Sequence, residues 1–468
     1  MHLVTKLDQF HPDYPKHMTT LPRRNFLKGI AAVASSTALP HFSIGSSGPS
    51  ANSKLNVAVI GAGGRGRASI NSLVDENLVA FCDVDETTGS KTYEDFPKVP
   101  RFQDFREMLD KKEKEIDAVV IATPDHTHFV ATYASMAYGK HVLTEKPLVH
   151  NVWQARTLRK AARHFNVITQ MGNQGHATEG IRYVKEWYQA GTIGEVDEVI
   201  AYNPGPRFGP NRSYQRPSTI PATSQPVPNH LNWDLWKGPT APNIKYNEVY
   251  LPKSWRGFFQ FGNGQLGDWA CHTLDAPFWA LDLGMPSSVN VRNITEPWPG
   301  IVPQTSVVEW EFPREGKNPL KLSWHEGRKP EVNPTNGEVQ WGNDFNMAMV
   351  GSKGVITHNA RPNSPRLYPE SDWQDFRKNL PEKKFARIKG NQVDEWVRAI
   401  KGEGPTPGSN FEYATQLTEM ALLGVLTQKT GKGFKWDSKN MQTDNPELNA
   451  YIKEPVRRGW EMGEELWS

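Results

Sequence analysis

The chain has 468 residues, and 54 Lys and Arg against 51 Asp and Glu leave a net charge of +3. That balance argues for neither a nucleic-acid nor an acidic partner, and 2 cysteines, Cys82 and Cys271, exclude a disulfide framework. The 16 Trp and 13 Tyr are a heavy use of flat amphipathic rings, which fill cores and line sites for sugar-like ligands.

The N-terminal segment TLPRRNFLKGIAAVASSTALP resembles a twin-arginine export signal, with Arg23-Arg24 ahead of a modest apolar stretch from Gly29 to Leu39. That stretch is too short and small-residued to anchor in a bilayer, and no other stretch approaches the length of a membrane span. Residues 1–17 look unlike a signal, which makes Met18 a candidate start. Residues 1–50 are therefore set aside as export signal and linker, and an exported, periplasmic location is expected. Roughly 420 residues remain, enough for two or three domains.

KLNVAVI (54–60) is a short, β-branched apolar run of the kind found in parallel strands buried on both faces. It leads into Gly61-Ala62-Gly63-Gly64-Arg65-Gly66 and then a helical pattern. Strand, G-x-G-x-x-G and helix together, with an acid about 20 residues on, form a dinucleotide-binding fingerprint. Gly61 permits the turn, Gly63 the approach of a pyrophosphate, and Gly66 close helix packing. Asp83 ends the second strand, where its carboxylate suits ribose hydroxyls and repels a 2′-phosphate. NAD is favoured, and Arg65 keeps NADP open as a 2′-phosphate partner.

Buried strands then alternate with helices: a strand over 117–123, a helix, KHVLTEKPL, a helix over VWQARTLRKAARHF, and NVITQMGNQ. This is the pattern of a doubly wound parallel sheet. Ligands of such sheets lie beyond the carboxyl ends of the strands, which here carry Thr123-Pro124, Glu145-Lys146-Pro147 and Asn173. His126 and His128 lack a third ligand at short spacing, so no metal is expected; His128 is placed near the cofactor and His126 on a loop surface.

In this order and spacing, AVIGAGGRG, CDVD, IATPDHTH and LTEKPL resemble the Gfo/Idh/MocA oxidoreductases. The likeness begins near residue 54 and weakens after about 285. It implies an α/β fold: an N-terminal Rossmann domain over 51–175, then a C-terminal α+β domain over 176–468 on a large, mostly antiparallel open sheet. The open face often serves oligomerisation in that family, so a homo-oligomer is expected. GEVDEVIAYN, SSVNVRN, TSVVEWEFP, PLKLSWHEG and MAMVGSKGVITHN fit such strands. In TSVVEWEF, Val307, Glu309 and Glu311 share one face and Ser306, Val308 and Trp310 the other. The helical run 411–431 is expected to pack back across the domains. Residues 204–229 are long and irregular enough for a lid or binding loop.

GDWACHTLDAPFWALDLG, if helical, sets Asp268 and His272 at i and i+4 with Asp275 three further on, beside an apolar stripe of Leu274, Phe278 and Leu281. Pro277 kinks or ends the first part of that helix. The resemblance carries catalytic roles onto Lys146, Asp268 and His272, with Asp275 holding the imidazole's orientation. Either His272 or Lys146 could take the proton released when a hydroxyl is oxidised. Asn173 and His176 are expected against substrate hydroxyls, with Trp255 and Arg256 as further candidates.

Twin-arginine export carries folded proteins, so a cofactor can travel bound. Outside the cytoplasm it has no pool to exchange with, which implies a tightly held cofactor restored in each cycle. An NAD(P)-dependent sugar oxidoreductase coupling two sugars satisfies this. So does a redox-neutral NAD-dependent glycosidase, an activity known in the resembled family. A non-catalytic sugar-binding protein on the same fold is the alternative of another class, and intact acid–base positions argue against it.

Overall fold

The computed structural model describes residues 54–205, 217–221, 223–295 and 300–468. The export segment expected over 1–50 and much of the 204–229 loop lie outside those residues. Among the described residues no helix is long and apolar enough to cross a membrane.

Six strands form the first sheet: β1 (Asn56–Ile60), β2 (Asn77–Cys82), β3 (Arg101–Phe102), β4 (Ala118–Ile121), β5 (His141–Thr144) and β6 (Thr169–Met171). Their order is β3-β2-β1-β4-β5-β6, and every pairing is parallel. The strand order reverses between β1 and β4, where Val57–Ile60 lies against Ala118–Ile121. A crevice opens at such a reversal beyond the carboxyl ends of the strands. The runs are apolar because both faces are covered: β4 is buried throughout. One covering helix comes from far down the chain. Val393 and Trp396, on the helix Gln392–Ile400, complete a core with Leu55, Val57, Val59, Phe81, Val120 and Leu143.

The second sheet contains β7 (Val196–Asn203), β8 (Ser288–Arg292), β9 (Ser306–Phe312), β10 (Leu320–Glu326), β11 (Met347–Gly351), β12 (Gly354–His358), β13 (Arg366–Tyr368), β14 (Phe434–Asp437) and β15 (Gln442–Thr443). Its order is β13-β12-β11-β7-β10-β9-β8-β14-β15, antiparallel except between β7 and β10. Period-two alternation gives the sheet two unlike faces. Ser306, Val308, Trp310 and Phe312 point under the helix Phe411–Thr430, and the Trp310 indole donates to the Met420 carbonyl at 3.0 Å. Glu309 and Glu311 are half-buried on the opposite face, where Glu309 stands across from Ser323 and Glu311 from Lys321. The same long helix packs on Val152–Phe165 of the first domain and on Gly264–Thr273 of the second. It bridges the two.

The segment after β7 that carries Asp268 is two helices, Gly264–Thr273 and Asp275–Leu281, meeting at Leu274. Pro277 falls in the first turn of the second helix, where its missing N–H costs no helical bond. The break separates what one continuous helix would have aligned.

Candidate active site

The glycine loop is built by exclusion of side chains. Gly61 has φ +88°, and a Cβ on it would stand 2.6 Å from the Ala122 carbonyl oxygen. A Cβ on Gly66 would fall 1.7 Å from the Gly61 carbonyl oxygen, so helix and strand meet backbone to backbone. Gly64, at φ +48°, has open space on its Cβ side and lines a cavity of about 720 Å³, in the range of small-molecule sites.

Asp83 fastens this loop. Its Oδ2 accepts from the Ala62 and Gly63 amides at 2.9 and 3.4 Å, and its Oδ1 from the Asp85 amide at 3.0 Å. Burial pushes the Asp83 carboxyl up to about 6, against the lowering effect of those three amides. Loop, acid and helix N-terminus fit a dinucleotide: the Gly64 side is open, Asp83 lines the cavity, and the helix Gly64–Asn71 begins there. Thr123, Pro124, His128, Glu145 and Lys146 line the same cavity. His128 ties two strand ends together, with Nδ1 2.8 Å from the Pro147 carbonyl oxygen and Nε2 2.8 Å from that of Thr123.

Arg65 Nε donates to Glu145 Oε1 at 2.7 Å. Gly172 makes room for that Glu145 carboxylate, 2.6 Å from where a Cβ would sit. His126, expected on a loop surface, is not there. It is 2% exposed, its ring nitrogens lie 3.1 and 2.8 Å from the Phe261 and Trp236 carbonyl oxygens, and burial pulls it down to about 3.

At the other end of the cavity stand Lys146, Asp268 and His272. The Lys146 ammonium donates to Asp268 Oδ1 at 2.6 Å and to the Asp268 carbonyl at 2.9 Å, and Arg256 Nε reaches Oδ1 at 3.3 Å. Burial alone would raise the Asp268 carboxyl, but Lys146 and Arg256 outweigh it and hold the group well below the carboxylate range. His272 is 1% exposed, and neither ring nitrogen has a hydrogen-bond partner among the described residues. Burial, then the Lys146 and Arg361 charges, press its pKa well below the ordinary imidazole value. At neutral pH it is a neutral ring with an uncommitted lone pair.

Asp275 does not orient His272. The break at Leu274 turns it away, and its carboxylate accepts from Asn173 Nδ2 at 2.9 Å and the Tyr413 hydroxyl at 2.6 Å, with His176 Nδ1 at 2.9 Å. Asn173 Oδ1 also accepts from the Ser409 hydroxyl at 2.6 Å. Asn173 and His176, expected against substrate, are therefore consumed in a largely buried polar cluster outside the cavity wall. Trp255 and Arg256 do line the cavity, the guanidinium 4.2 Å above the indole ring. Sequence reasoning missed Gln174, Trp236, Trp269 and Arg361, which also line it. Gln174 follows the Asn173 position directly. Arg361 lies in the loop after β12 and carries no local signal. Among the described residues no group of three His, Cys, Asp or Glu side chains could hold a metal ion.

Residues 55–173 match the Gfo/Idh/MocA model described as oxidoreductase family, NAD-binding Rossmann fold. Residues 212–297 match the same family's C-terminal alpha/beta domain. An inositol 2-dehydrogenase of Serratia proteamaculans is 30% identical over 148 residues, 30% of this chain and 43% of that protein. A levoglucosan dehydrogenase of Pseudarthrobacter phenanthrenivorans is 28% identical over 93 residues, 20% of this chain and 23% of that protein. The chain thus spans less than half the length of these relatives. Among solved structures, the WlbA dehydrogenase from Bordetella pertussis, in complex with NADH and UDP-GlcNAcA, superposes with a TM-score of 0.57 at 17% identity, covering 82% of this chain and 98% of that one. An aldose-aldose oxidoreductase from Caulobacter crescentus, complexed with glycerol, gives 0.54 at 15% identity, covering 82% and 100%. At such identities the likeness is one of fold. The two segments, in chain order, match that family's NAD-binding Rossmann domain and then its C-terminal alpha/beta domain.

Proposed function

We propose that the chain oxidises a hydroxyl of a sugar or glycoside, with the hydride passing to NAD and the proton to His272. The observation that carries this is the neutral, unpartnered His272 imidazole lining the cavity into which the glycine loop opens, beside the Lys146–Asp268 ion pair. Bound there, NAD supplies the hydride acceptor. Asp268 is held ionised, so it accepts a hydrogen bond and orients a substrate hydroxyl. Lys146 already donates twice to Asp268, which fixes that carboxylate and leaves His272 as the uncommitted base. Relatives named for inositol and levoglucosan support a polyhydroxylated substrate. The Trp236, Trp255 and Trp269 rings, which line the cavity, suit such a ligand's apolar faces.

The Arg23-Arg24 segment supports export as a folded protein, and with it a retained cofactor restored each cycle. Two reactions fit: coupled oxidation and reduction of two sugars, or the redox-neutral glycosidase. The latter needs several acid–base groups at one place, and Lys146, Asp268 and His272 meet that need. A homo-oligomer through the open sheet face belongs to the same reading. The test is absorbance of the purified protein in the reduced-nicotinamide band, before and after sugars and glycosides, with no NAD added. A change in the band, or product formed, supports a retained cofactor; turnover only with added NAD removes the retained-cofactor reading and leaves a simple dehydrogenase.

A further inference from the structure

The charges at the proton-transfer end of the cavity do not balance. Arg65 is matched by Glu145 at 2.7 Å, and Lys146 and Arg256 share Asp268 at 2.6 and 3.3 Å. The nearby Asp125 carboxylate is turned to the Asn263 amide and side chain, both at 3.1 Å. Arg361 remains. Its guanidinium lies 5.0 Å over the Trp269 ring, and among the described residues no carboxylate stands within ion-pairing distance of it. Trp269 in turn meets His272 edge-on at 5.6 Å.

Arg361, Trp269 and His272 thus form a continuous strip of wall. The Trp269 Nε1 and both His272 nitrogens are buried without partners among the described residues. A half-buried guanidinium seated over an indole offers a planar fork of donors, the group best suited to a planar oxyanion. Leaving such a cation unpaired in a partly desolvated wall is costly unless a ligand completes it.

We propose that the substrate of this site carries an oxyanion, a carboxylate or a phosphate ester, and that Arg361 recognises it. The proposal rests on the sugar-oxidoreductase reading and adds the substrate's charge. The anion sits at Arg361 and the Trp269 Nε1, so the reacting hydroxyl lies within reach of His272. Arg361 fixes position and specificity; the proton still goes to His272.

The test is calorimetric titration of the full chain, saturated with NAD, using glucose, glucuronate and glucose 6-phosphate, and the galactose counterparts. In at least one set an anionic sugar is expected to bind about tenfold or more tighter than its neutral partner, as charge-assisted pairing provides. The better anion in that set tells carboxylate from phosphate. Arg361→Gln abolishes the difference, Arg361→Lys keeps part of it, and NAD affinity is unchanged in both. Equal binding of neutral and anionic sugars overturns the proposal and leaves the sugar reading standing. Loss of NAD affinity in Arg361→Gln also overturns it, by assigning Arg361 to the cofactor. If NAD binds and no sugar does, the sugar reading itself fails and the proposal with it.

Discussion

At the scale of single residues, His272 and Glu326 show how burial without full pairing sets a pH response. Burial and the Lys146 and Arg361 charges disfavour the His272 imidazolium, so the neutral base persists below its ordinary value of about 6.5. The acid limb of kcat/KM is therefore expected below that pH. Lys146→Met removes the largest cationic contribution, so the limb should move upward; an unmoved limb would assign it to another group. His272→Gln should lower kcat by about 10²–10⁴, the range for losing a general base, with a smaller effect on KM. Glu326 is the opposite case. It is 1% exposed, accepts from Gln428 and Trp324 at 3.1 Å each, and burial pushes it up to about 7. The unfolded chain releases this proton near its ordinary 4.5, so stability falls as pH rises from there toward 7. The difference corresponds to about 3 kcal/mol, fully lost above pH 7. Glu326→Gln should unfold at higher urea than the parent at pH 8, and the gap should close at pH 4.

Elements show what short motifs can and cannot carry. The glycine loop was legible because its requirements are local: a Cβ at Gly61 or Gly66 collides with backbone a few residues away or on the adjacent strand. Asp83 belongs to that unit, tying the loop amides while facing the cavity. Asp83→Ala should weaken NAD binding at least about tenfold by calorimetry, since it loosens the loop and removes an acceptor for the ribose. Affinity for NADP should fall less, because the repulsion of a 2′-phosphate goes too. An equal loss for both would reduce Asp83 to a loop fastener. The Asp268 segment was legible only to the end of its first helix. Spacing set Asp268 and His272 on one face, but the restart at Asp275 sends that carboxylate to Asn173, His176 and Tyr413. Pro277 signalled an interruption without its direction, because the direction depends on partners remote in sequence. Arg361 was illegible for the same reason: a lone arginine in a connector acquires meaning from the Trp269 ring beneath it.

For the whole molecule, the same distinction between local and remote decides where the Rossmann half ends. By strand pattern it closes after β6, near residue 175. By packing it does not. One face of the parallel sheet is covered in part by Val393 and Trp396, with Val397 and Ile400 packed beside them, all on the helix Gln392–Ile400. Trp396 is fully buried against a core that includes Leu55, Val57, Phe81 and Leu143. A fragment ending at residue 175 would leave that part of the face in water, with β-branched strands of the type that associate. Such a fragment is expected to be insoluble or to bind a hydrophobic dye. Adding the 390–402 peptide in trans should restore little, because an isolated helix of this length is marginal in water. In the intact chain, Trp396→Ala should cost about 3–5 kcal/mol, as other buried Trp truncations do. The loss should appear as one earlier urea transition, read both by far-ultraviolet dichroism and by NAD binding. Two separated transitions would mean that the halves fold independently. A single shared one means that the cofactor site is held in shape by chain that lies beyond the entire substrate wall.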